Sequence, residues 1–237
     1  MTQLIKRMSA FLLCLMLLMG AFTETALAAP DWPSGVSVQA ESGIVIDADT
    51  GTVLWGQNIH NQYFPASITK IMTALIVIEK CSLDETVTFS HNAVFNVEAG
   101  SSNAGINEGD KLSVKDCLYA LLLKSANESA NALAEHVAGS TEAFADMMNA
   151  KAKELGCTDT HFANPSGLNN PEHYTSTYDM ALIARAAFLN PTFEEIDSTT
   201  YYKLPPNSIN PEGLTIYPGH KMLKKSTPYY YPGIVGG

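Results

Sequence analysis

The chain has 237 residues, 46% of them apolar and 16% charged, enough apolar content for one substantial core. Its formal charge of −10 argues against nucleic acid as a partner, which needs a basic patch.

The first 28 residues read as a secretory signal peptide, cut before Ala29, with an uncleaved N-terminal anchor as the alternative. Lys6 and Arg7 give a basic start, "AFLLCLMLLMGAF" an apolar run too short to span a bilayer comfortably, and Ala26-Leu27-Ala28 a small-x-small cleavage site. Cys14 follows Leu13 instead of a small residue, which argues against a lipoprotein signal. Removing the segment leaves residues 29–237 with a formal charge of −11. Cys81, Cys117 and Cys157 remain, an odd number at wide spacing with no CxxC or local Cys/His cluster. Neither a zinc site nor a disulfide framework is indicated, and one disulfide among the three stays open. Cys117 and Cys157 are expected as small buried hydrophobes.

"SGIVIDADTGTVLWGQN" predicts two strands joined at a turn carrying Asp49 and Gly51. "SITKIMTALIVIEK" has apolar residues at helical spacing, with Lys80 suited to the C-terminal end of the dipole. "ETVTF" is a short strand. "SVKDCLYALLLKSANESANALAEHVAG" predicts two helices broken at Ser125, opened by a Ser113/Asp116 capping box and stopped at Gly139. A helix ended by Gly156 comes after it, then the loop "FANPSGLNNPEHY". Next comes a helix capped by Thr175 or Thr177 and ended before Pro191. "TTYYKL" and "LTIY" predict strands, and "KSTPYYYPGIVGG" a loop starting another. Strands, a helical block and strands again make an α+β layout, in which the first and last segments are expected to share a sheet.

Ser67 and Lys70 in "PASITKIMTAL" lie three apart and so on one helix face. Serine is a weak nucleophile that needs a base. Lysine serves as one when burial or a neighbouring cation lowers its pKa. The helix N-terminus adds partial positive charge and offers the Ser67 N–H to a developing oxyanion. An S-x-x-K alone arises about once by chance in a chain of this size, and a lysine snorkelling from a helix face is its ordinary explanation.

The surrounding residues add to it. "PASITKIMTALIVIE", preceded by "GIVIDADTGTVLWGQN", resembles the D-alanyl-D-alanine carboxypeptidases, the low-molecular-weight penicillin-binding proteins. Five triplets fit that family's S-x-N element: Ser90–Asn92, Ser101–Asn103, Ser125–Asn127, Ser129–Asn131 and Ser208–Asn210. Only "LLLKSANESANALAEH" also resembles the family around it, matching at Ser125 and Asn127, 58 residues after Ser67. "HFANPSGLNNPEHYTSTYDMALIARAA" carries the family's N-P-x-G-L and the helix after it.

The resemblance implies the transpeptidase-like α+β fold of penicillin-binding proteins and β-lactamases, an antiparallel sheet with a helical block. It implies a serine-type carboxypeptidase that removes the terminal D-alanine from peptidoglycan pentapeptide stems, with β-lactams as covalent inhibitors and no cofactor or metal. Ser67 would be acylated and Lys70 would be its general base. Ser125 would relay a proton to the leaving amine, and Asn127 would bind the substrate amide and hold Lys70. Helix capping is the ordinary alternative for Ser125 and Asn127. The expected location is outside the cytoplasm, at the wall or membrane surface.

The family's third element, K-T-G on a strand, is not found. The sequence ends in "GIVGG" at Gly237, where it is expected next, and Lys221, Lys224 and Lys225 lie outside any K-[ST]-G. Residues 29–237 are therefore expected to be an incomplete catalytic domain lacking its last sheet strands. The apolar face of the Lys70 helix is then expected to be uncovered. Membrane association would come only through segments absent here. Two other readings stay in play. A non-catalytic peptidoglycan- or penicillin-binding module is one. A β-lactamase is more distant, since no E-x-x-L-N is present. An α/β-hydrolase is disfavoured by the lack of G-x-S-x-G.

Overall fold

The structure, a computed structural model, describes residues 38–232 and 234. The signal-peptide reading of residues 1–28 lies outside them. In chain order the elements are β1 (Gly43–Ile46), β2 (Val53–Gln57), β3 (Gln62–Tyr63), a 3-10 turn (Ala66–Ile68) and α1 (Thr69–Lys80). Then come β4 (Thr86–Thr88), α2 (His91–Phe95), β5 (Lys111–Ser113), α3 (Val114–Lys124) and α4 (Asn127–Ala138). The rest are α5 (Thr141–Glu154), β6 (Thr175–Ser176), α6 (Thr177–Phe188), α7 (Pro191–Asp197), β7 (Tyr202–Leu204), β8 (Leu214–Ile216) and a 3-10 turn (Lys221–Leu223).

Helix α1 is the axis of the core. Met72, Ala74, Leu75, Ile76 and Val77 are almost fully buried, so α1 is apolar around most of its circumference, the pattern of a helix surrounded by others. Helices α3, α4, α5, α6 and α7 all pack on it. Burying Met72, Leu75, Ile76 and Val77 contributes about 1.5–3 kcal/mol each, which outweighs the cost of taking one lysine in with them. The expectation of an uncovered apolar face on this helix is thus not met, because neighbours from both sides of the chain close over it.

Local signals set the other helix ends. The Ser113 side chain accepts from the Asp116 N–H, and Asp116 accepts from the Ser113 N–H, completing the expected capping box. Gly139 stops α4 in the left-handed conformation at φ 83°. Helix α6 is capped by Ser176, not by Thr175 or Thr177. The Ser176 side chain accepts from the Asp179 N–H, while Thr175 and Ser176 pair with β3. Pro191 does come after the end of α6, but it also opens α7, with Asn190 as the cap.

The strands of the described residues form four two-stranded antiparallel ladders: β1 with β2, β3 with β6, β4 with β5, and β7 with β8. Among the described residues the first and last segments therefore do not share a sheet. The β1 strand lies against α6, whereas the closing β7–β8 hairpin packs on α3, with Tyr202 stacked on Tyr119 at 3.7 Å. The architecture is the expected α+β mixture. The β3–β6 pairing does most to position the Ser67 region, because it brings the chain around residues 164–176 against the turn that carries Ser67.

Candidate active site

Ser67 sits in the 3-10 turn just before α1, exposed to solvent. Ala66 before it is held at φ 50°, a left-handed conformation that a non-glycine residue adopts at a cost of about 1–3 kcal/mol. Lys70 lies one turn further on, only 3% exposed. Its Nζ donates to Asn127 Oδ1 at 2.8 Å and to the Ser166 carbonyl at 2.5 Å, and stands 3.4 Å from Ser67 Oγ. Three acceptors thus face the three donors of the ammonium. If the amine loses a proton, it keeps Asn127 and Ser166 as acceptors and turns a lone pair toward Ser67. Burial lowers the Lys70 pKa from its ordinary 10.5 to about 8, against the opposing pull of the Glu128 carboxylate.

The break between α3 and α4 supplies the facing wall. Ser125 adopts φ 57°, ψ 34°, a left-handed conformation that ends α3 two residues before α4 begins. Its Oγ is buried without a hydrogen-bond partner. Asn127 opens α4 and is 4% exposed, and its backbone N–H donates to the Ser102 carbonyl at 3.0 Å. Glu128 beside it is buried and accepts from the Ala104 N–H at 2.7 Å, so α4 and the loop around Ser102 hold each other. Burial raises the Glu128 pKa. Ser67, Lys70, Ser102 and Ser125 line one cavity of about 950 Å³, together with Lys221 and Lys224. All four residues expected from the sequence come together here: Ser67, Lys70 and Ser125 on the cavity, Asn127 bonded to Lys70.

A second set of residues, not singled out in the sequence as site residues, frames the Ser67 turn. The Asn164 side chain accepts from the Ser166 and Gly167 N–H groups and donates to the Leu168 carbonyl, fixing a tight loop. That loop presents the Ser166 carbonyl to Lys70 and the Pro165 carbonyl to the Thr73 hydroxyl at 2.7 Å. Gly167 has φ +85°, and a Cβ there would lie 1.8 Å from the Ala66 carbonyl oxygen, so only glycine fits. His173, 2% exposed, accepts the Ala163 N–H on Nδ1, which leaves Nε2–H to donate to Thr69 Oγ1 at 2.8 Å. Burial lowers its pKa to about 4, with His161 adding to the effect, so this ring is neutral. The signal for most of these residues lies in the N-P-S-G-L stretch. Its role as a clamp depends on contacts 92–104 residues apart.

Chemically the arrangement is an exposed hydroxyl, a buried amine of lowered basicity in reach of it, and an unpartnered hydroxyl on the same cavity. It also places Ser67 in the first turn of a helix, where N–H groups lack intrahelical acceptors.

Comparison with known proteins places the chain in a family. A family model described as D-alanyl-D-alanine carboxypeptidase matches residues 24–224. The chain is 38% identical over 185 residues to D-alanyl-D-alanine carboxypeptidase DacF of Bacillus subtilis (strain 168), covering 75% of this chain and 46% of that protein. It is 34% identical over 210 residues to DacB2 of Mycobacterium tuberculosis (strain H37Rv), covering 88% and 66%. Among solved structures, penicillin binding protein 6B of Escherichia coli superposes with a TM-score of 0.75 at 32% identity, over 84% of this chain and 64% of that one. The chain spans about half the length of several of the curated relatives it matches.

Proposed function

This chain belongs to the D-alanyl-D-alanine carboxypeptidase family, and from that premise we propose that it removes the terminal D-alanine from peptidoglycan stem peptides through an acyl-enzyme on Ser67. Neutral Lys70 takes the Ser67 proton as Oγ attacks the carbonyl carbon of the penultimate D-alanine. The Ser67 N–H faces the developing oxyanion. The C–N bond then breaks, and the proton passes by way of the Ser125 hydroxyl to the amine of the leaving D-alanine. A water attacks the ester carbonyl while Lys70 accepts its proton, the bond to Ser67 Oγ breaks, Lys70 returns the proton to Oγ, and the shortened peptide leaves with a new carboxylate. Asn127 holds Lys70 and offers its amide to the substrate backbone. A β-lactam carbonyl enters the same sequence in place of the peptide and leaves Ser67 acylated. Residues 1–28 would direct the chain across the membrane, so that the reaction occurs at the wall.

The observation that carries this reading is the buried Lys70 Nζ, held by Asn127 and Ser166 and aimed at an exposed Ser67 Oγ 3.4 Å away. The test is to label the protein with a fluorescent penicillin, map the adduct by mass spectrometry, and measure D-alanine release from a peptide ending in D-Ala-D-Ala. The expected adduct is on Ser67, lost in Ser67→Ala together with D-alanine release. An adduct on another residue, or labelling without any D-alanine release, would refute the carboxypeptidase reading.

A further inference from the structure

At the far ends of the two helices that carry the site, three side chains of metal-binding type converge. Cys81 is the C-cap of α1, Glu85 lies in the loop after it, and His136 is in the last turn of α4. The thiol sulfur, a carboxylate oxygen and a ring nitrogen all lie within 4.8 Å of one another. His136 Nε2 and Glu85 Oε2 are 2.9 Å apart. We propose that Cys81, Glu85 and His136 form a binding site for a thiophilic divalent cation of the zinc type, which ties the C-terminal end of α1 to that of α4.

The donor set argues for the chemistry. One sulfur, one imidazole nitrogen and one carboxylate oxygen suit zinc, which binds them at about 2.0–2.3 Å. It is a poor set for magnesium or calcium, which take oxygen ligands. Thiolate and carboxylate together balance a divalent charge. Binding replaces the Cys81 proton, which goes to solvent, and the fourth position is open to water. The backbones that carry Cys81 and Glu85 are fixed by other bonds. The Cys81 N–H donates to the Val77 carbonyl, and the Val114 N–H to the Glu85 carbonyl. The Glu85 carboxylate is itself oriented by the Ser82 N–H on Oε1 at 2.6 Å, the kind of outer support that metal ligands have. Sequence spacing hides the group, since His136 stands 51 residues from Glu85.

The test uses the full chain and Co²⁺ as probe, with Zn²⁺ as competitor. One equivalent of Co²⁺ is expected to bind with a thiolate-to-metal charge-transfer band in the near ultraviolet, displaced by Zn²⁺. The band should vanish in Cys81→Ser and in His136→Gln, where glutamine can still donate to Glu85. It should persist in Cys157→Ser. Zinc at a hundredfold excess over its Kd should raise the wild-type melting temperature by about 5–10 °C, and leave both ligand variants unmoved. Cooperative melting of the two variants shows that they are folded. No band in the wild-type protein, or a band that survives Cys81→Ser or His136→Gln, overturns the proposal.

Discussion

Replacing Gly167 with alanine should disable the site without touching a reacting group. The added Cβ would meet the Ala66 carbonyl oxygen at 1.8 Å, the Ala66 carbonyl carbon at 2.4 Å and Thr69 Oγ1 at 3.0 Å. Two of these are backbone atoms of the Ser67 turn, so the turn and the 164–168 loop must separate by more than an ångström. The left-handed backbone costs alanine about 1–2 kcal/mol, and overpacking of this kind about 1–3 kcal/mol more. For a chain of this size the sum lowers the melting temperature by roughly 5–15 °C. Separation also pulls the Ser166 carbonyl from Lys70 and Pro165 from Thr73, and a 1 Å misplacement costs about 10²-fold in rate. Gly156→Ala is the control, since Gly156 has the same φ of +85° and nothing within 4 Å of an added Cβ. It should lose about 1–2 kcal/mol and acylate normally. Acylation by fluorescent penicillin and thermal melting measure both effects. If the two variants acylate at equal rates, the loop is not what holds the Ser67 turn in place.

Lys70→Arg keeps the charge but removes an accessible neutral state, so acylation should slow by about 10²–10⁴-fold in a folded protein; near-normal stopped-flow acylation would show that charge alone suffices. In the unsubstituted protein the acylation rate should climb with pH about a midpoint near 8, where buried Lys70 loses its proton, and a flat profile between pH 6 and 9 would contradict the proposed role as base. The same depressed pKa makes the unfolded state bind more protons between about 8 and 10.5. Lys70 therefore adds stability as pH rises through that window, roughly 3 kcal/mol in all, seen as a slope in denaturant melts that Lys70→Met removes. His173 acts at the other end. Its pKa falls from 6.5 to about 4, so stability is lost as pH drops through that interval, and His173→Gln should flatten the slope relative to wild type.

What could be read from the sequence was local. The Ser67/Lys70 spacing, the Ser113/Asp116 box, the break at Ser125 and the stop at Gly139 each involve residues within a turn or two, where backbone geometry alone dictates the outcome. The choice of Ser125 and Asn127 among five matching triplets needed the sequence around them, because an S-x-N pattern carries no geometry of its own. The pairing of strands and the covering of α1 depended on which surfaces meet, which periodicity does not encode. For the same reason the clamp from Asn164, Ser166, Gly167 and His173 was visible only as a stretch of resemblance. A carbonyl oxygen as a ligand for Lys70 leaves no trace in residue identity, and a glycine reveals its necessity only when its neighbour is known. Cys81 and His136 are a stronger example, since each looks solitary until α1 and α4 are packed.

Lys70 can serve as a base only if its pKa is lowered enough to leave part of the amine neutral, by burial or by a neighbouring cation. The structure supplies the burial. The one charge that acts appreciably on Lys70 among the described residues is Glu128, and it favours the protonated form. Desolvation overrides it, leaving about a tenth of the amine neutral at pH 7. Such a base is set close to the working range, strong enough to take a proton from serine and weak enough to give it back. Desolvation depends on how tightly the 164–168 loop and the start of α4 close over Nζ. Any change that loosens either should therefore raise the Lys70 pKa as well as displace it, and the loss of rate and the shift of the pH profile should appear together.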